Sequence, residues 1–320
     1  MNKYIGHQGQ ISGVDAVILA RGKGKGMTLL QIRNGLGLEI TLSADRAMDI
    51  SRVTLKGDNL GYFSPCGYVA PSFYDNSGSG FLKSFTAGFM TTCGLTAVGS
   101  PCNDNGEELP LHGTIANTPC ENYSYSETDN EITVKAEIRD AAIFTHQLTL
   151  KREYRISKTE NKVSLCDIIK NIGSEETPLE VLYHCNMGYP LLSENTVLDI
   201  PAIKTKARND HAKEGIFECF KMEKPQRGYE EMCYYHTLSD GRVSAYNPDI
   251  NKRVTISFDT GELPYFVEWK MMGEHDYVLG LEPGNCLPDG RNVMREKGLL
   301  EFLKPDEQKI HHIEFSFQEE

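Results

Sequence analysis

The feature that most constrains this chain is a repeated alternation of apolar and polar residues over stretches of strand length. In Leu38–Ser43, leucine and isoleucine occupy every second position, and polar residues lie between them. A period of two is typical of a β-strand with one buried and one solvated face. The same alternation recurs along the chain, most clearly in Glu131–Ile138, His146–Ile156, Lys162–Asn171 and Ile310–Phe317.

Turn-forming residues separate these stretches, and long helical patterns are scarce. Asn34-Gly35, between two apolar runs, is a strong hairpin signal. No amphipathic window longer than about 12 residues has a period of 3.6. Many short strands with few short helices predict an all-β fold, a sandwich or barrel. The 320 residues contain no internal repeat, linker or abrupt change of composition, so we expect a single domain over residues 1–320.

Composition excludes several functional classes. The 45 acidic residues outnumber the 33 basic ones, and the net charge of −12 argues against nucleic-acid or anionic-membrane partners. Nine scattered cysteines without a CxxC pair favour free thiols in a reducing compartment. The first 15 residues contain no apolar run, so we expect no signal peptide and a cytoplasmic protein. Nothing in the sequence selects an oligomeric state.

Four segments place polar side chains next to glycine or proline after an apolar run: residues 111–113, 182–190, 263–274 and 277–285. We interpret His184 as following a strand over Leu179–Tyr183, and Glu282 as following one over Tyr277–Leu281. A carboxyl at the end of a buried strand is partly desolvated, which raises its pKa and suits a general base. A histidine there can supply a proton near neutral pH. Each residue taken singly also fits a purely structural role.

The block Leu148–Leu192 resembles the core of the galactose mutarotase (aldose 1-epimerase) family. Tyr183–Tyr189 takes the place of the family motif that carries a catalytic histidine. Leu111-His112-Gly113 is similar to an upstream H-G motif, and Leu281-Glu282-Pro283 to the segment that carries the catalytic glutamate. Residues 45–50, 91–95 and 269–273 resemble more closely an aldose-1-epimerase-like branch of undefined sugar specificity. That branch often has Arg after the H-G motif, whereas this chain has Thr114.

The resemblance implies a galactose mutarotase-like supersandwich that binds a small sugar and interconverts its α and β anomers. It implies acid–base ring opening, with no metal, cofactor or covalent intermediate. Glu282 would act as the base and His184 as the acid. His112 would hydrogen-bond the ring oxygen or a neighbouring hydroxyl.

The resemblance also implies a set of residues that bind sugar hydroxyls. Lys83 or Arg46 would replace the family's substrate-binding arginine, and Glu231 its substrate-binding aspartate. Trp269, the only tryptophan, could stack on a sugar face or pack in the core. The full set of expected substrate-binding residues is Arg46, Lys83, Asn186, Glu231, His236, Trp269, Lys270 and Asn285.

Three alternatives stay open at this point. The first is a sugar-binding module without turnover. The second is a metal-dependent sugar isomerase or lyase, in which His112, His184, Glu231 and His236 would be the ligands, since these residue types suit transition metals. The third is a mutarotase for an unusual sugar, such as a ketose, a sulfosugar or a phosphosugar.

Overall fold

The structure is a computed structural model that describes residues 3–320 of the chain. Within that range the chain forms mainly strands, with two short α-helices, α1 (Asp210–Glu214) and α2 (Arg291–Glu296). Single turns of 3₁₀-helix span Gln8–Gln10, Pro71–Phe73, Gly80–Lys83, Ile115–Asn117 and Ile216–Glu218. The predicted all-β architecture with few short helices is confirmed. No helix in residues 3–320 combines the length and the apolar character needed to cross a membrane.

The strands of the described range, in chain order, are β1 (Gly13–Ile18), β2 (Thr28–Arg33), β3 (Leu38–Ser43), β4 (Asp49–Leu55), β5 (Asp58–Asn59), β6 (Tyr62–Phe63), β7 (Ala87–Gly88), β8 (Met90–Leu95), β9 (Cys102–Asp104), β10 (Glu107–Leu109), β11 (Asn122–Glu127), β12 (Glu131–Ala141), β13 (Gln147–Ser157), β14 (Lys162–Asn171), β15 (Thr177–Met187), β16 (Val197–Asp199), β17 (Ala202–Ala207), β18 (Met232–Leu238), β19 (Arg242–Asn247), β20 (Lys252–Phe258), β21 (Tyr265–Met272), β22 (Tyr277–Gly284), β23 (Glu301–Leu303) and β24 (Gln308–Glu319).

Twenty of these strands pair antiparallel in three main sheets, and the other four form two two-stranded sheets, β6-β7 and β9-β10. The first sheet has five strands in chain order, β1 to β5. The second has eight, in the order β11-β12-β13-β14-β24-β20-β19-β16. The third follows the order β17-β18-β21-β22-β15-β23, and β8 also pairs with β15. The predicted Asn34-Gly35 turn joins β2 to β3.

The main core lies between the inner faces of these sheets. In β12, Ile132, Val134, Ala136 and Ile138 are buried, while most of their neighbours are partly or fully exposed. The alternation in the sequence therefore arises because one face of this sheet is buried and the other is solvated. Buried apolar residues from all three sheets form one continuous cluster.

Strand β15 lacks this alternation because both of its faces are covered. Val181, Tyr183 and Cys185 pack into the main core, while Leu182 belongs to a second, smaller cluster on the opposite face. His184 lies inside β15 and Glu282 inside β22. The expectation that the strands end before these residues is wrong, because the second layer shields the outer face and lets a polar side chain be buried within a strand.

A fully buried guanidinium joins the three sheets. Arg152 of β13 makes a bidentate pair with Asp167 of β14, with Nε–Oδ1 and Nη2–Oδ2 distances of 2.9 and 2.6 Å. Its Nη1 donates to Asp49 Oδ1 of β4 at 2.7 Å and to the Ala47 carbonyl at 2.8 Å. Its Nη2 also donates to Thr92 Oγ1 of β8 at 2.7 Å. All five donors of the guanidinium therefore have acceptors.

Removal of this guanidinium should destabilise the fold strongly. R152A leaves the carboxyls of Asp49 and Asp167 buried without their cation, so we expect the free energy of unfolding to fall by about 3–5 kcal/mol. Denaturant unfolding monitored by circular dichroism measures the change. The matched control is R155A on the same strand, where the exposed Arg155 pairs with Glu153, and where solvent screening should make the loss much smaller than for R152A. Equal losses in the two variants would contradict this account.

Candidate active site

One cavity brings together five of the residues singled out in the sequence: His112, His184, Glu231, Trp269 and Glu282. This inner cavity has a volume of about 180 Å³. Pockets that take drug-sized ligands are larger, roughly 300–1,000 Å³, so the inner cavity suits a ligand of about one sugar ring. Its other lining residues are Phe81, Leu82, Phe85, Gly99, Ser100, Leu111, Arg208, Cys233, Val267 and Pro288.

His184 and Glu282 form the floor of the inner cavity. They lie on the paired strands β15 and β22, where Cys185 is opposite Leu281. His184 Nε2 is 3.1 Å from Glu282 Oε1, and the two side chains are only 6% and 3% exposed. Neither His184 Nδ1 nor Glu282 Oε1 has a hydrogen-bond partner. Gly280 precedes the glutamate on the same face, and a Cβ there would overlap the Glu282 carboxyl.

His112 reaches the same cavity from the irregular stretch between Gly61 and Asn117. Its backbone has a φ of 59°, in the left-handed region that is unfavourable for residues other than glycine. Two hydrogen bonds of 3.0 Å hold that conformation, from the His112 N–H to the Gly99 carbonyl and from the Gly94 N–H to the His112 carbonyl. Its buried Nδ1 has no partner. The His112 and His184 rings are 5.6 Å apart between centroids.

An aromatic and charged rim surrounds the three candidate catalytic residues. The Trp269 ring lies 5.2 Å from the His184 ring, and its Nε1 donates to Glu231 Oε2 at 2.7 Å. Phe85 packs 5.4 Å from His184 between ring centroids. Arg208 is held by hydrogen bonds from its Nη2 to Ser100 Oγ at 2.8 Å and to the Pro288 carbonyl at 3.0 Å.

Three further residues that line the inner cavity belong to none of the sequence motifs: Arg208, Phe81 and Phe85. Arg208 continues the alternation of Lys204 and Lys206, which reads as a solvated strand face, so no local signal marks it. The two phenylalanines lie four residues apart in an otherwise irregular stretch. That spacing was a usable signal, because it places both rings on one side of a short helical turn.

Six of the expected substrate-binding residues do not line the inner cavity: Arg46, Lys83, Asn186, His236, Lys270 and Asn285. Strand alternation accounts for two of them. Lys270 follows Trp269 and therefore points to the opposite face of β21, where its Nζ donates to the Lys221 carbonyl at 2.7 Å. His236 lies opposite to the cavity face of β18 and pairs with Glu268 at 3.0 Å.

The other four serve the scaffold. Asn186 Nδ2 donates to the His184 carbonyl at 2.9 Å, and Asn285 Oδ1 accepts from the Val181 N–H at 2.6 Å. Both therefore fix the backbone of β15. Arg46 is buried and donates to Asn117 Oδ1 at 2.8 Å. Lys83 is exposed and pairs with Asp75 at 2.8 Å.

The four residues considered as metal ligands are not assembled into one cluster. His236 is paired with Glu268 on the far face of the sheet, away from His112, His184 and Glu231. Within residues 3–320, no group of three or more His, Cys, Asp and Glu side chains is arranged to hold a metal ion.

Burial sets the protonation of the cavity floor. It raises the pKa of Glu282 well above its ordinary value; the Glu231 carboxylate raises it further, and Arg208 opposes both. Burial lowers the pKa of His184 to about 4 and that of His112 to about 3. Burial therefore favours the neutral imidazole of His184 and the protonated, neutral carboxyl of Glu282. Such a pair can accept a proton at one atom and donate one at another.

The family described as "Domain of unknown function (DUF4432)" matches residues 24–317 of the chain. A search of curated proteins found none that matches this chain.

Several solved structures share the fold. A protein from Klebsiella pneumoniae subsp. pneumoniae MGH 78578, provisionally named an aldose 1-epimerase, is 26% identical, with a TM-score of 0.90 over 96% of this chain and 83% of its own. A galactose mutarotase-like protein from Clostridium acetobutylicum is 15% identical, with a TM-score of 0.72 over 97% of this chain and 100% of its own. Galactose 1-epimerase from Lactobacillus acidophilus NCFM is 14% identical, with a TM-score of 0.63 over 96% of this chain and 99% of its own. The predicted galactose mutarotase-like sandwich is thus confirmed.

The buried Glu282 carboxyl should make stability depend on pH. Its pKa is raised in the folded state, so its contribution is fully present below the ordinary value of 4.5 and is lost as pH rises through the raised pKa. E282Q cannot titrate and escapes this loss. We expect the variant's free energy of unfolding, relative to wild type, to increase from about pH 5 upward by at most ~1.4 kcal/mol per pH unit. Denaturant melts across that range measure it, and a difference independent of pH would contradict the raised pKa.

Proposed function

The chain belongs to the family described as a domain of unknown function (DUF4432), and from this premise and the cavity geometry we propose that it is an aldose 1-epimerase-like isomerase. Its substrate would be a free sugar whose α and β anomers it interconverts. One observation carries the proposal: the 3.1 Å contact between His184 Nε2 and Glu282 Oε1 on the floor of a cavity sized for one sugar ring. The names of the structurally similar proteins support the same class of reaction.

The reaction asks for two proton-transfer groups beside one acetal carbon. Glu282 takes the proton of the anomeric hydroxyl, whose oxygen becomes the carbonyl oxygen of the open chain. The bond between the anomeric carbon and the ring oxygen breaks, and His184 gives a proton to that ring oxygen. Rotation about the C1–C2 bond presents the other carbonyl face. Ring closure then reverses both transfers and yields the opposite anomer.

The shared proton explains how two buried groups with opposite pKa shifts can perform this cycle. The neutral pair, with Glu282 protonated, and the charged pair, with His184 protonated, contain the same number of protons. His184 Nε2 and Glu282 Oε1 are 3.1 Å apart but are not aligned in a hydrogen bond. Once a bound sugar aligns the two groups, a proton can pass between them, so the reactive charged form is reached without exchange with solvent. The low local dielectric strengthens the attraction within the charged pair, which offsets part of its desolvation.

The remaining cavity residues would bind and orient the sugar. The unpartnered Nδ1 of His112 is available to a ring oxygen or hydroxyl. Trp269 offers an apolar face for the C–H bonds of a pyranose, and its indole N–H fixes the Glu231 carboxylate as a hydroxyl acceptor. Arg208, anchored by Ser100 and Pro288, offers guanidinium donors. These roles were expected of Arg46, Lys83, Lys270 and Asn285. Those four residues lie outside the inner cavity and therefore cannot take them.

Exchange NMR tests the proposal directly. Saturation-transfer (EXSY) spectra of free aldoses report exchange between the α and β anomers. We expect wild-type protein to accelerate it for at least one sugar, and E282Q or H184Q to lower the rate by about 10²–10⁴-fold, as for a positioned acid or base. H112Q should lose about tenfold, the value of one hydrogen bond.

The matched control is E268Q. Glu268 is equally buried and lies on the neighbouring strand β21, but its carboxyl pairs with His236 on the opposite face. Its loss should leave anomer exchange within about threefold of wild type. No acceleration for any sugar would overturn the proposal. Sugar binding that E282Q leaves unchanged, without any acceleration, would identify a binding module instead.

The pH profile of kcat/KM should be bell-shaped, because activity needs one proton on the pair. Below the pKa of His184, about 4, the pair holds two protons and lacks a base. Above the raised pKa of Glu282 it holds none and lacks an acid. Exchange rates corrected for spontaneous mutarotation measure the profile. An acid limb centred near 6.5, the ordinary pKa of histidine, would contradict the burial of the pair.

A further inference from the structure

A second cavity adjoins the inner cavity and is larger. This outer cavity has a volume of about 340 Å³, against about 180 Å³ for the inner one. The two share four lining residues: Leu82, Phe85, Glu231 and Trp269. The hydrogen bond between Trp269 Nε1 and Glu231 Oε2 therefore lies at the boundary between them. The two cavities form one cleft with a narrow floor and a wide entrance.

The two ends of this cleft differ in how deeply their residues are buried. His184 and Glu282 at the floor are almost fully buried, and His112 beside them is partly buried. At the boundary, Glu231 is exposed and Leu82 is 59% exposed. A sugar that presents its anomeric hydroxyl and ring oxygen to Glu282 and His184 has its reducing end at the floor. The opposite edge of the ring, where the next unit of a saccharide is attached, then faces the outer cavity.

The lining of the outer cavity fits a second sugar ring. Tyr62, Met271 and Trp269 supply apolar surface for the C–H faces of a pyranose, and the carboxylates of Glu231 and Asp276 are acceptors for its hydroxyls. The Tyr62 hydroxyl donates to Asp276 Oδ1 at 3.3 Å, which orients the ring of Tyr62. The described lining includes no Lys, Arg or His. A phosphate or sulfonate group would therefore meet two carboxylates without a cation, so the chemistry favours a neutral ligand.

We propose that the outer cavity binds a second sugar unit, so that the preferred substrate is the free reducing end of a neutral disaccharide or longer saccharide. The inference rests on the proposed function for the orientation of the first ring. Binding in the outer cavity itself depends on the lining residues and is measurable without turnover. A monosaccharide fills the inner cavity and leaves the outer one to water.

The test compares maltose, cellobiose and lactose with glucose and galactose. Isothermal titration calorimetry measures binding, and EXSY measures kcat/KM for anomer exchange at the reducing end. We expect at least one disaccharide to bind, and to exchange, about tenfold better than its reducing-end monosaccharide, the equivalent of ~1.4 kcal/mol. Glucose 6-phosphate is the anionic probe, and it should show no gain over glucose.

Variants confined to the outer cavity separate it from the catalytic floor. Y62A removes the ring and should abolish the disaccharide advantage, leaving values within about threefold of the monosaccharide. Y62F keeps the ring and should retain most of the advantage. M271W fills the outer cavity and should weaken disaccharides while leaving monosaccharides unchanged, so it tests the site even if Y62A folds poorly.

The outcomes distinguish this inference from the proposed function. A disaccharide advantage in binding that Y62A or M271W removes supports the outer site, even if no sugar shows accelerated exchange and the isomerase proposal fails. Accelerated exchange of monosaccharides, with no disaccharide advantage in binding or kcat/KM, overturns the outer site and leaves the isomerase proposal standing. A gain for glucose 6-phosphate over glucose would also overturn it, since it would indicate an anion site.

Discussion

The buried guanidinium of Arg152 ties together the sheets that hold the candidate site. Its partner Asp167 also accepts a hydrogen bond of 2.8 Å from the hydroxyl of Tyr183. Tyr183 precedes His184 on β15, and consecutive side chains of a strand point to opposite faces. The tyrosine is therefore anchored in the main core, while the histidine faces the cavity. The Arg152–Asp167 ion pair on the far side of the sheet therefore holds Tyr183, and with it the backbone position of the adjacent His184.

Other contacts hold the same strand without touching the cavity. Asn285 bonds to the backbone on both sides of Glu180, accepting from the Val181 N–H and donating to the Leu179 carbonyl at 3.1 Å. Asn186 holds the His184 carbonyl. Catalytic groups act efficiently when their supporting residues leave them little freedom. The two asparagines, which the sequence marks as sugar ligands, contribute instead to this rigidity.

The chemistry of the site follows from the burial of its polar groups away from water. Burial of a carboxyl and two imidazoles costs folding free energy, since all three favour their neutral forms. The same burial favours a protonated Glu282 beside a neutral His184, and it leaves polar atoms without partners, available to a ligand. Destabilised polar groups of this kind are characteristic of functional sites. His112 is held in a left-handed backbone conformation, which costs stability but places its ring in the cavity.

The sequence predicts the strands better than it predicts the site. Period-two patterns such as Lys162–Asn171 report a solvated face, so their strands appear where expected. Strands β15 and β22 are covered on both faces, and their polar residues therefore looked like strand ends. His112, His184 and Glu282 could be singled out through a family resemblance. Lys270 and Arg208 could not be assigned, because the side on which a strand residue meets a cavity depends on layers contributed by distant parts of the chain.

In the proposed complex, a reducing sugar lies with its anomeric centre over the His184–Glu282 pair. A crystal structure of the E282Q variant, soaked with a sugar that wild-type protein anomerises, tests it most directly. We expect the anomeric oxygen within about 3 Å of the amide at position 282 and the ring oxygen within about 3 Å of His184 Nε2, ordinary hydrogen-bond distances. A sugar bound with its reducing end toward the entrance, or outside the cleft, would contradict it.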